Sequence, residues 1–246
     1  MDTGVTWDKT LKKSLSTNSQ LQFSKLMTFT TYNKENEEPV ADLIRYNSLI
    51  RHKDSDVVAM YFLVDRRDKI FSYIGENKSS TISAYFPLSK EKYLINGQAA
   101  LVSNGEEGLD IDQEQCSEAF QALLADNLDG YQSILDNCWE QIDEHDQKLY
   151  KKAISGEKTD IEVTTKIEND DLSKYEPQKI EAKSPHSFSM LVLFPTKIDL
   201  TIYPPPQVIA DARNPQFESL MKAPKKTKRY LHTYTEEAGW MIDFLS

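Results

Sequence analysis

The chain has 246 residues and a net charge of −10, from 39 acidic and 29 basic side chains. That balance argues against general binding of nucleic acid or of anionic membrane through the whole surface. Hydrophobic residues make up 39%, enough for a packed core, and the 28% that are charged imply long solvated loops; a single domain over residues 1–246 fits this size.

Thr6 to Leu15 reads as a short amphipathic helix, with Trp7, Leu11 and Leu15 four residues apart. A strand is expected from Leu21 to Thr31, and the polar run Asn33 to Pro39 is a turn because it offers nothing to a core. Val40 to Tyr46 then pairs back on the first strand. Val57 to Val64 is almost wholly apolar, which suits a strand buried on both faces. From Arg67 to Tyr73 the pattern turns helical, with Ile70, Phe71 and Ile74 as its apolar stripe.

Ser83 to Ser103, SAYFPLSKEKYLINGQAALVS, reads as a hairpin, two runs of strand formers around the turn cluster Pro87, Ser89 and Lys90. Asp112 to Ile154 is helical, with Phe120, Leu124, Leu135 and Trp139 at three-to-four spacings, and a break near Asn127 to Gly130 predicts two helices. Residues 155–185 are rich in Lys, Glu, Asp, Thr and Ser and read as a surface excursion. Phe188 to Phe194 is a central strand that continues through Ile198 to Tyr203, where Pro204 to Pro206 stop it. Arg229 to Thr235 and Gly239 to Phe244 form a last hairpin. Strands first, helices in the middle and strands last predict an antiparallel β-barrel with helices attached.

No apolar run approaches the ~18 residues needed to span a bilayer, and the segment MDTGVTWDKTLKK has no signal-peptide core. Cys116 and Cys138 are expected as buried thiols in a reduced, cytoplasmic setting, with nuclear access left open. His52, His145, His186 and His232 show no ligand spacing, so no metal site is expected. Phosphate-cradling glycine loops and the nucleophile-elbow pattern are absent. Trp139 and Trp240 are expected to fill core or dimer space.

Four segments resemble, in order, the pyridoxamine 5′-phosphate oxidase-like FMN-binding split barrels, in the uncharacterised branch found in fungi and cyanobacteria. They are the strand pair Leu21 to Asn47, the helix start FLVDRRDK (Phe62 to Lys69), the YFPLSKEKYLING hairpin, and Phe188 to the C-terminus. CWEQIDEHDQKLY, Cys138 to Tyr150, resembles the family's central helix. The resemblance implies a mainly β, antiparallel split barrel with peripheral helices, and a homodimer with FMN at the subunit interface. It implies Arg67, Lys69, Lys92 and Arg229 as cofactor-binding residues and no catalytic side chain, since the flavin carries the redox chemistry.

The sequence departs from the family at several positions. Asp42 stands where an arginine is expected, Asn47 at a second basic position, and Asp68 at a hydroxyl position. A carboxylate facing a phosphate costs roughly 4 kcal/mol at 4 Å with an effective dielectric of ~20. The residues that would hold pyridoxamine phosphate are replaced by Lys225, Lys226 and Thr227, so true pyridoxamine phosphate oxidase activity is not expected. Two readings follow. One is a flavin-dependent oxidoreductase acting on a small molecule; the other is a diverged barrel that has lost flavin and serves as a binding or scaffolding protein.

Overall fold

The computed structural model describes residues 6–52, 57–77, 79–106, 108–151, 184–204, 227–235 and 237–245. The excursion expected at 155–185 and the pair Lys225–Lys226 therefore lie outside the described residues, except for Ser184 and Pro185. Among the described residues nine strands form one antiparallel sheet: β1 (Leu26–Asn33), β2 (Glu38–Arg51), β3 (Val58–Asp65), β4 (Ser80–Phe86), β5 (Glu91–Asn104), β6 (Leu109–Asp112), β7 (Phe188–Ile202), β8 (Lys228–Thr235) and β9 (Gly239–Leu245). The order β4-β1-β2-β3-β7-β5 closes on itself because β5 pairs with both β4 and β7. Six strands thus make a barrel, with β6 added beside β5 and the β8–β9 ribbon beside β7. This is the architecture of a split barrel.

Alternation along the strands builds two cores on either side of one wall. Inward residues such as Phe29, Ile44, Phe62, Ile82, Tyr93, Ile95, Leu191 and Leu200 fill the barrel. Trp7 and Leu11 of α1 (Trp7–Thr17) join that core and plug one end. Outside the wall, α2 (Glu118–Ala125) and α3 (Leu128–Gln141) lay Phe120, Leu124, Tyr131, Leu135 and Trp139 on Ala59, Ala100, Val102, Met190, Val192 and Phe194. Strands β3, β5 and β7 are apolar on both faces where this helical layer covers them.

The structure corrects several element boundaries. The first strand begins at Leu26, because residues 21–25 form turns closed by Ser24 N–H to Leu21 O and Leu26 N–H to Phe23 O. The described part of the helical region holds three helices, the third being α4 (Glu144–Lys151), whose first turn is capped by Asp146 N–H donating to Asp143 Oδ1 at 2.9 Å. The chain parts at Asp126–Asn127, and Gly130 lies inside α3. Ile70, Phe71 and Ile74 are buried as expected, in a 3₁₀ helix over Lys69–Glu76. Among the described residues no helix is long and apolar enough to cross a membrane.

Candidate functional site

Long strands let one chain build two different outer surfaces. Up to Phe194 the outward side chains of β7 are apolar and lie under the helices; beyond Pro195 they become Lys197, Asp199 and Thr201. Strand β5 makes the same change in the opposite direction, from Lys92, Leu94 and Asn96 to Ala100 and Val102. The switch falls at the bulge where Gly97 meets Pro195. A Cβ on Gly97 would stand 2.2 Å from Phe194 O, so only glycine allows the two backbones this close.

Among the described residues no helix covers the second surface, which runs across seven strands. One cross-strand row reads Leu43, Thr28, Ser83, Leu94, Asp199, Leu231, Asp243. The next reads Ala41, Thr30, Thr81, Asn96, Lys197, Thr233, Met241. A third contains Tyr85, Lys92, Thr201, Arg229 and Leu245, with Arg45 beside Leu26 on the same face. Arg45, Lys92, Lys197 and Arg229 outnumber Asp199 and Asp243 on this face of an acidic chain. Its hydroxyls and cations are groups that bind an anion.

The four sequence-predicted site residues fall into two pairs. Lys92 is exposed on the open face, directly across from Tyr85 and Thr201. Arg229, across from the same Thr201, donates from Nε to Asp199 Oδ1 at 2.8 Å, and from Nη2 to Asp199 Oδ2. That hydrogen bond holds the Asp199 carboxyl below its ordinary range. Arg67 and Lys69 lie near the other end of β7, since Asp65, two residues before Arg67, pairs with Phe188 while Lys92 pairs with Thr201. Along β7 those two points are thirteen positions apart, on either side of the Gly97–Pro195 bulge.

The surroundings of Arg67 are acidic. Its Nε and Nη2 donate to the two oxygens of Asp65 at 2.8 and 2.5 Å. Desolvation, then Asp65 and Asp42, push the Asp68 carboxyl above its ordinary value, with Arg67 opposing them. Lys69 is exposed at the start of the 3₁₀ helix. Asn47 serves the backbone: it sits at the β2 bulge, and its Oδ1 accepts the Leu63 N–H at 2.9 Å, replacing a ladder bond.

Sequence reasoning passed over Arg45, Lys197 and the hydroxyl row Thr28, Thr30, Thr81 and Ser83. The alternation in TFTT and STIS was the available signal, because it puts every second hydroxyl on one face. It also passed over Arg66, whose Nη1 donates to Asp110 Oδ2 at 2.6 Å and Ser103 Oγ at 2.8 Å. That arginine ties the end of β3 to β5 and β6. Cys116 and Cys138 are free thiols, Cys116 buried with its pKa pushed up to about 12 by desolvation.

A six-stranded closed ring with appended strands, plugged by one helix and half-covered by others, defines the class: this chain has the split-barrel fold of the pyridoxamine 5′-phosphate oxidase-like proteins. Among solved structures it is similar to a pyridoxamine 5′-phosphate oxidase-related, FMN-binding protein from Nostoc punctiforme PCC 73102, with a TM-score of 0.63, 15% identity and 98% of each chain covered. More distant is PhzG from Burkholderia lata 383, in complex with tetrahydrophenazine-1-carboxylic acid: TM-score 0.48, 11% identity, 97% of this chain and 91% of that one. General Stress Protein 26 from Bacillus anthracis matches at a TM-score of 0.36 and 12% identity, over 77% of this chain and 92% of that one. No family model matches the chain, and no curated protein matches it by sequence.

Proposed function

We propose that this protein is an FMN-binding, oxidoreductase-type split barrel acting on a small molecule, and not a pyridoxamine phosphate oxidase. The observation that carries the reading is the open outer face, where cations and hydroxyls gather on a chain of net charge −10. Lys92 and the Arg229–Asp199 pair would lie beside the flavin ring, with the Thr and Ser hydroxyls as further donors. A flavin there would supply hydride transfer, and no side-chain acid or base is needed for it. The roles of Arg67 and Lys69 follow from the separation along β7. Because the two pairs lie at different ends of β7, the proposed site takes them from two copies, as a homodimer. Two free thiols and the lack of a long apolar helix among the described residues support a cytoplasmic setting.

Titration with FMN tests this reading. Lys92→Glu is expected to weaken binding at least tenfold, by turning an attraction on the open face into a repulsion. Arg67→Ala is expected to weaken it as well if the site spans two copies. Unchanged affinity in Lys92→Glu would remove the open face from the site.

A second reading has its own observation. Asp42, Asp65 and Asp68 gather around Arg67, and Asp65 already takes its guanidinium. A phosphate would have to displace Asp65 and tolerate the other two carboxylates. On this reading the barrel has outlived its flavin and binds another partner; a wild-type protein that leaves FMN free in solution would favour it.

A further inference from the structure

At the α1 end of the open face, two tyrosines stand out of the surface and touch each other. Tyr85 is 55% exposed and Tyr203 39%, yet their ring centroids are 6.4 Å apart in an edge-to-face arrangement. Strands β4 and β7 pair with opposite sides of β5. The rings therefore meet above the β5 backbone, on its outward side. Their positions are fixed from below: Tyr85 is the direct cross-strand partner of Lys92, and Tyr203 N–H donates to Lys90 O at 2.8 Å. Lys92 and Thr201 flank the rings, and beyond them the Arg229–Asp199 pair cancels its own charge. The ammonium of Lys92 is thus the unbalanced charge closest to the two rings on this row.

Tyrosine presents a wide, stiff ring at small entropic cost, because only two torsions must be fixed. An exposed aromatic surface of set orientation beside a cation suits a flat ring that carries a negative group. We propose that Tyr85 and Tyr203 form the stacking wall for a flat, anionic heteroaromatic ligand, with Lys92 taking its charge. The inference rests on reading the open face as the ligand-bearing one, and it narrows that reading to one end of the face. The shared chemistry is that of a phosphorylated heteroaromatic nucleotide, and flavin and adenine nucleotides are its two sources.

Fluorescence titrations of the full chain with FMN, and calorimetric titrations with AMP, test the wall. The wild type is expected to bind FMN. The double variant Tyr85→Leu/Tyr203→Leu should lose about tenfold in affinity, while Tyr85→Phe/Tyr203→Phe, which keeps both rings, should stay within about twofold of the wild type. A wild type that binds FMN equally well with leucine at both positions would overturn the wall and leave the proposed function standing. Ring-dependent binding of AMP without FMN would support the wall and overturn the flavin. A wild type that binds neither would overturn both. Both side chains are exposed, so thermal melts of the leucine variant should match the wild type and show that lost affinity is not lost folding.

Discussion

Gly97 is the residue on which the two-surface design turns. Its missing Cβ lets β5 cross β7 within contact of Phe194 O, at the point where the outward faces change from apolar to polar. Gly97→Ala should cost about 2–3 kcal/mol in a urea unfolding curve, the range of an overpacked core; a loss below about 0.5 kcal/mol would mean that the crossing can open. His52 is the second telling residue: it is 2% exposed, and its Nε2 lies 2.7 Å from the Tyr131 hydroxyl. Burial holds its pKa below 6.5, and burial does the same to His232. The unfolded chain takes up these protons near 6.5 and the folded chain takes them later, so these residues leave stability unchanged above that value and lower it as the pH falls below. Thermal melts from about pH 7.5 to about pH 5.5 should fall more steeply for the wild type than for His52→Gln; equal slopes would show that His52 titrates normally in the fold. Single residues such as Asn47 were the least legible in the sequence. Its absent charge looked like a lost ligand, whereas its amide completes a bulge, a role that depends on register and not on residue type.

At the scale of elements, α1 plugs one end of the barrel that the strand pairing closes. Ser14 Oγ bonds Tyr93 OH at 2.9 Å and donates to Glu91, and Asn18 Oδ1 accepts the Leu88 N–H at 2.8 Å, which fastens the helix to the β4–β5 hairpin. Trp7 is 2% exposed and lies 5.8 Å from Trp240 of β9. Trp7→Ala should therefore cost about 3–5 kcal/mol, read by urea unfolding; a cost under about 1 kcal/mol would make α1 a surface ornament. This helix, the hairpin and the doubly buried strands were readable because long periodic patterns report burial directly. What escaped was short or was set by caps: β6 has four residues, two of them acidic, and the start of α4 depends on the Asp143 cap. Phe23 suggested strand but is 69% exposed in a turn, where its hydrophobicity carries no information about pairing.

For the whole molecule, the fold was largely legible in the sequence, and the way it distributes the charged residues was not. The family resemblance pointed to Lys92 and Arg229, which the barrel brings onto one face, and to Arg67 and Lys69, which it holds near the far end of β7. No periodicity in one chain reveals that separation, because it arises from strands that cross the entire barrel. The proposed site takes its two pairs from two copies, so light scattering at micromolar concentration should give about twice the 28.3 kDa chain mass, and a monomer would contradict the shared site. The most direct measurement is an absorbance spectrum of the protein mixed with FMN and then desalted. A flavin-binding barrel should retain bands near ~450 nm, where oxidised flavin absorbs, in proportion to the protein. A colourless protein, with all FMN in the small-molecule fraction, would contradict that function and leave the barrel as a binding module for another partner.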